Sequence, residues 1–265
     1  MQPPAGVDPV GERLEPALGA LDARLAEAAR SLKAATQALK KAQDAARNGN
    51  LRDLKRLLEA AGDSAAGYVR DLQRAETSWA FSGEDYLASG QYLDELRATA
   101  AELGVGGARV LDGRLYSYPY IVRVEARDLA VRIGKKKDAR VRPSHVAAIL
   151  KAAQRKPRQG NLEPILNAIE QAYLHLTKGE LGHSMSLREI HAALTLLPGS
   201  AREYSLDDFV MDVYRLDLSG PHVTRTNRRF DLPSSTSTRG GKGIRFATRE
   251  GEEKLYSTIR FQTAS

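Results

Sequence analysis

The stretch LKKAQDAARNGNLRDLKRLL, residues 39–58, sets Asn48-Gly49-Asn50 between two runs of regularly spaced apolar residues. Asn and Gly tolerate the left-handed backbone that ends helices and makes tight turns, so one helix stops here and another begins. Upstream, Leu14, Leu18, Leu21, Leu25, Ala28, Leu32, Ala35, Leu39, Ala42 and Ala46 follow steps of four and three. Downstream the rhythm resumes with Leu51, Leu54, Leu58, Ala61, Ala65, Tyr68, Leu72, Ala75 and Trp79. A heptad seam of this length is a coiled-coil signal, and two long helices joined by three turn residues fold back antiparallel. The alanines along the seam bury little area each, so residues 14–79 are expected to engage a protein partner or a second copy of the chain. A shorter helix follows at about Tyr92–Leu103, ended by Gly104, Gly106 and Gly107, and closes a helical domain over 1–104.

The texture changes at Arg109. RVLDGRLYSYPYIVRVEARDLAVRIG is rich in Val, Ile and Tyr and carries the Asp112-Gly113 turn signal, which predicts antiparallel strands near 109–117, 119–125 and 129–133. KKKDARVRP then leads into a helix opened by Pro143-Ser144, and KPRQGN, residues 156–161, is a polar linker that closes a small mixed α/β middle over 105–160.

Residues 161–265 carry a helix at about 162–177, a short HSM piece, a helix opened by Ser186 with Glu189, and another opened by Ser205 with Asp208. Two basic strands follow, near 223–232 and 243–249, with a third at 254–262. This order of elements resembles the winged-helix family over roughly 162–262. The resemblance implies that the third helix enters the major groove of DNA and the wing touches its backbone or minor groove. Here the third helix, SLDDFVMDVYRLDL, carries Asp207, Asp208, Asp212 and Asp217, so the expected contact shifts to the wing, and the helix could equally face a basic protein surface. The fold expected is α+β: mainly helical with small antiparallel sheets, an N-terminal hairpin, a mixed middle and a winged-helix-like end.

Charge is divided unevenly along the 265 residues. Residues 1–104 hold 13 Lys/Arg against 16 Asp/Glu, net −3, and residues 105–265 hold 27 against 17, net +10. Such asymmetry points to a polyanion partner for the second part. Cysteine is absent, which removes disulfides, thiolate metal sites and cysteine nucleophiles and fits a reducing cytoplasm. No apolar run approaches the ~18 residues of a membrane span. Arginine far outnumbers lysine, a residue usage of GC-rich bacterial genomes.

Two cationic clusters are the candidate site. Arg225, Arg228, Arg229, Arg239, Lys242, Arg245 and Arg249 flank a Gly240-Gly241 tip and are opposed in that window only by Asp231. Guanidiniums fork onto phosphates, and a glycine tip lets backbone amides approach one; the alternative is a solvated edge hairpin protected by charge. The second cluster is Lys135, Lys136, Lys137, Arg140 and Arg142, together with Arg132 in the strand before it. Tyr116, Tyr118 and Tyr120 alternate on one strand face and could either stack bases or pack.

No catalytic motif is complete. RGGKG lacks the Walker spacing, because Thr236 and Gly243 stand where a glycine and a Ser or Thr belong. Asp112 with Glu125-Ala126-Arg127 approaches a nuclease metal pattern but has arginine for lysine. The five histidines, His183 and His191 among them, show no ligand spacing. The expectation is a non-catalytic DNA-binding protein without cofactor or metal, favouring duplex over single strands. The alternatives are a docking subunit of a genome-maintenance or antiphage-defence complex and a dimeric winged-helix transcription regulator.

Overall fold

The computed structural model describes residues 13–155, 161–233 and 243–264, and the chain divides into two compact units, residues 1–86 and 87–265. In the first, α1 (Leu14–Arg47) and α2 (Leu51–Ser78) pack along each other, joined by Asn48-Gly49-Asn50. Gly49 takes φ 66°, and the Asn50 side chain accepts from the Asp53 amide to start α2. The expected seam and the observed one share a row and differ in its neighbour. The row Leu14, Leu21, Ala28, Ala35, Ala42 does face α2, but the row completing it is Ala17, Ser31, Ala38, Ala45, on the opposite flank from the leucines. On α2 the row Leu54, Ala61, Tyr68, Ala75 is likewise completed by Leu57, Ser64 and Asp71, and Ser31 Oγ donates to Asp71 Oδ2 at 2.6 Å across the pair. Leucines stand in the seam only at Leu14, Leu21, Leu54 and Leu57, and the small side chains along the rest of it let the helix axes approach and bring backbone against backbone. Ala42 is 2% exposed, whereas Leu39 keeps 61% and Leu51 79%.

Next come α3 (Gly83–Ala88) and, in the second unit, α4 (Gln91–Glu102). A five-stranded antiparallel sheet then runs in sequence order through β1 (Arg109–Leu111), β2 (Arg114–Ser117), β3 (Tyr120–Glu125), β4 (Ala130–Ile133) and β5 (Lys136–Asp138). The stretch expected as a basic loop is thus partly an edge strand, with Arg132 paired to Lys137 and Ile133 to Lys136. α5 (Pro143–Arg155) packs on α4. The remaining elements are α6 (Glu163–Leu176), β6 (Met185–Ser186), α7 (Leu187–Leu194), α8 (Ser200–Glu203), α9 (Leu206–Ser219), β7 (Arg228–Asp231), β8 (Ile244–Ala247), β9 (Glu253–Tyr256) and β10 (Thr258–Thr263). Three of these strands form an antiparallel sheet in the order β6-β10-β7, and β8 pairs with β9. The chain is therefore mainly helical with small antiparallel sheets.

One apolar core joins the five-stranded sheet to the helices and strands of the last hundred residues. Tyr116 and Ile121 of the five-stranded sheet meet Leu166, Ile169 and Tyr173 of α6, Phe209 and Val210 of α9, and Phe246 and Phe261 of the later strands. α9 sits at its centre, begun by Ser205 and Asp208, whose side chains and amides satisfy each other. Residues 105–160 and 161–264 thus bury their apolar faces together. Among the described residues no helix is long and apolar enough to cross a membrane.

The two ends of this unit also meet through backbone. Gly107 has φ 65°, and a Cβ there would lie 2.0 Å from the Arg249 carbonyl oxygen. Gly107→Ala is expected to destabilise the protein by about 3 kcal/mol in denaturant unfolding. Gly113→Ala, with φ 71° and nothing within reach of its Cβ, is expected to cost only the backbone strain, about 1 kcal/mol.

Candidate nucleic-acid interface

The expected phosphate contacts of the wing are largely engaged within the chain. Arg228 Nη1 lies 3.0 Å from Glu170 Oε1, and Glu170 is buried on α6. The same oxygen accepts from Thr224 Oγ1 at 3.0 Å and from Thr226. Arg225 Nε donates to Glu163 Oε1 at 2.7 Å, holding that carboxyl below its ordinary value. Arg245 reaches Asp112 at 2.9 Å and Glu253 at 3.8 Å, and Arg249 lies 3.7 Å from its neighbour Glu250 while its amide donates to the Tyr214 hydroxyl. Arg229, exposed on β7, has no acidic partner among the described residues. Arg239, Lys242 and the Gly240-Gly241 tip lie outside the described residues.

The second cluster divides in the same way. Lys137 Nζ sits 2.6 Å from Asp128 and 3.2 Å from Glu125, which also accepts from Arg132 Nε at 2.6 Å. Burial pushes the Glu125 carboxyl up, but these two cations outweigh it and hold it low. Arg140 grips Asp138 with Nε and Nη2 at 2.9 and 2.8 Å and drives that carboxyl well below the usual range. Arg142, half-buried, leads into α5, and its carbonyl accepts from Val146. Lys135 and Lys136 stay exposed at the β4–β5 turn, with Lys135 Nζ 5.5 Å from the centre of the Tyr204 ring.

Of the two clusters, some 90 residues apart in sequence, the β4–β5 turn and Arg225 meet at the first turn of α6, whereas Arg228 is held further along that helix by Glu170 and Arg245 and Arg249 pair with Asp112 and Glu250. A cavity of about 830 Å³ has Lys135, Lys136 and Arg140 on one wall and Leu162 and Ile165 on another. In the same turn Glu163 holds Arg225. The start of α6 adds little to this charge, since the Glu163 amide donates to Asn161 Oδ1 at 3.0 Å and Pro164 has no amide hydrogen. On the α9 side of the cavity burial pushes the Asp212 carboxyl up, against Arg215 at 3.0 Å and the Tyr204 hydroxyl at 3.1 Å.

Other candidates resolve into packing. Tyr116 is buried with its hydroxyl 3.4 Å from Asp207 Oδ1, Tyr118 stands edge-on to Tyr214 at 5.9 Å, and the Tyr120 ring lies against Gly134. Asp112 and Glu125, the nuclease-like carboxylates, each pair with their own arginines. His183 contacts Glu180 at 2.9 Å and His191 the Tyr204 carbonyl at 2.8 Å. Sequence reasoning passed over Glu170 and counted Asp207 only as one charge of an acidic helix surface; both are buried. Their signal is a carboxylate set among the apolar positions of a helix: Glu170 beside Leu166, Ile169 and Tyr173.

Removing Arg228 leaves Glu170 buried with only hydroxyl partners. Arg228→Ala is expected to destabilise the protein by about 3 kcal/mol in thermal unfolding, and Arg229→Ala by less than about 0.5 kcal/mol. Burial and the nearby Asp207 push the Tyr116 phenol from 10.0 up to about 12. The fold favours its protonated form, so this contribution to stability is complete below pH 10 and is lost as pH rises towards 12. Absorbance titration is expected to show Tyr116→Phe removing a phenol that ionises only above pH 11 in the native protein.

No family model, curated protein or solved structure matches the chain, so its function is argued from the charge and packing of its own residues.

Proposed function

We propose that this chain is a non-catalytic, cytoplasmic DNA-binding protein that contacts duplex phosphates at the face around the first turn of α6. The observation that carries the reading is the convergence there of the β4–β5 turn with Arg225. Lys135 and Lys136, which form no ion pair among the described residues although Lys135 acts on the Asp212 carboxyl across the cavity, are the primary contacts there, and Arg229, exposed on β7 and likewise without an acidic partner, adds to them. Arg225 can exchange its part-exposed carboxylate for a phosphate, since solvated pairs of this kind contribute little to stability, whereas Arg140 stays held by both oxygens of Asp138. The order β6-β10-β7 beside α6, α7 and α9 supports a winged-helix-like module, with the segment between β7 and β10 as its wing. Tyr116 and Tyr118 are occupied by packing, which leaves Tyr120 alone of the three on the cavity wall and favours duplex phosphates over a stacking platform for single strands.

The test is fluorescence anisotropy of labelled duplex DNA with the full chain across a salt series. The wild type is expected to bind with a steep negative dependence on salt. Lys135→Ala/Lys136→Ala is expected to weaken binding at least tenfold on unrelated sequences and to flatten the slope of log K against log salt by about 2. Absence of binding at low salt, or binding that the double substitution leaves unchanged, would overturn the reading. The docking-subunit alternative would then lead, favoured by the exposed leucines of the hairpin.

A further inference from the structure

We propose that two copies of the hairpin associate through their leucine faces, antiparallel to each other, as a four-helix dimer. This inference stands independently of the nucleic-acid reading.

On α1, Leu18, Leu25, Leu32 and Leu39 recur every seven residues, one row to the side of the alanine seam. On α2, Leu51, Leu58 and Leu72 recur with the same period and are displaced from their seam in the same sense. Two antiparallel helices are related by a two-fold axis perpendicular to the plane of the pair, so rows displaced in the same sense fall on the same broad face. The hairpin therefore carries one continuous apolar stripe between its helices. Leu25, Leu32, Leu39, Leu51, Leu58 and Leu72, with Val69 on the adjoining row, are between 40% and 79% exposed. They leave on the order of 600 Å² of surface open, most of the ~800 Å² that each partner buries in a specific interface.

The charges bordering the stripe identify the partner. Towards the Asn48–Asn50 tip the same face carries Lys33, Lys40, Arg47, Arg52 and Lys55, with Glu59 as its acid. Towards the opposite end it carries Asp22 and Glu76. One hairpin turned end for end over another lays each basic tip on the other's acidic end, whereas a parallel pairing would oppose like charges. The small residues Ala26, Ala29, Gly62, Ala65 and Ala66 beside the leucines let the second pair of helices sit close. A closed two-fold arrangement buries the same stripe on both copies and leaves no leucine row open.

Sedimentation equilibrium of the full chain is expected to give a dimer at micromolar concentration. Leu32→Glu/Leu58→Glu is expected to give a monomer with unchanged far-ultraviolet circular dichroism. Lys40→Glu/Lys55→Glu is expected to raise the dissociation constant at least tenfold at low salt, and adding Asp22→Lys/Glu76→Lys to restore it, a recovery that lost folding would not show. A monomer at every concentration, or a dimer indifferent to the leucine substitutions, would refute the proposal. A dimer that needs the leucines but ignores both charge sets would refute the antiparallel arrangement.

Discussion

The carboxylate of Asp207 is the point on which the larger unit is assembled. It is buried in the first turn of α9, where Arg114 Nε reaches it at 2.8 Å, Arg123 Nε at 3.5 Å and the Tyr116 hydroxyl at 3.4 Å. Taking an ion out of water costs several kcal/mol unless partners surround it. Those partners come from β2 and β3, and the amides at the start of α9 favour negative charge at the same place. The five-stranded sheet can therefore satisfy α9 in only one register. Asp208 fixes the next contact, meeting Arg123 at 3.0 Å while closing the helix cap with Ser205. With β3 held on α9, the β4–β5 turn is carried over α6, and the cavity and its lysines follow from that placement.

The acidic third helix, which in sequence reads as a surface seeking a basic partner, finds its basic partners within the chain. Asp207 and Asp208 take the arginines of β2 and β3, Asp212 takes Arg215, and Asp217 takes Lys254 at 3.0 Å and the Tyr256 hydroxyl. The sequence shows both halves of each pair but not their meeting, because Arg114 and Asp207 stand more than 90 residues apart. The wing has the same history. Counting Arg225, Arg228 and Arg245 against Asp231 alone overstates its open charge, since Glu163, Glu170 and Asp112 come from distant parts of the chain. What composition conveys is the excess left after pairing, of which Lys135, Lys136 and Arg229 are a part.

The hairpin was legible to the residue at its turn and legible in its period, because heptad spacing and Asn-Gly chemistry are local. Its seam was not. Ranking positions by size assigns leucine to the interior, yet helices that pack through alanine exchange side-chain area for proximity of backbone, and the leucines move to the flank. A periodic row can thus be apolar for two different partners, the second helix of the hairpin and whatever covers its broad face. The helix boundaries, the Ser205–Asp208 cap and the strand texture after Arg109 were also local signals. The junction of the middle residues with the last hundred was not, since the shared core of Tyr116, Ile121, Phe209 and Phe246 has no sequence periodicity.

The burial of α9, together with its charge, constrains any nucleic-acid role. Asp207, Phe209, Val210, Met211, Val213, Tyr214 and Leu216 are all buried, so core and sheet cover most of the helix, and the edge left part-exposed carries Asp208, Asp212 and Asp217. A helix reads bases by entering the major groove with one side exposed, and the edge this one leaves open is acidic. Under the proposed function, contact is then left to cations on a turn and an edge strand, which position a protein on phosphates but distinguish sequences poorly. Stronger binding at such a surface comes from valence: two modules in one assembly raise each other's effective concentration at the duplex without any new contact. Affinity drawn from pairing, not from base recognition, would make the leucine face of the hairpin as important to DNA occupancy as the lysines themselves.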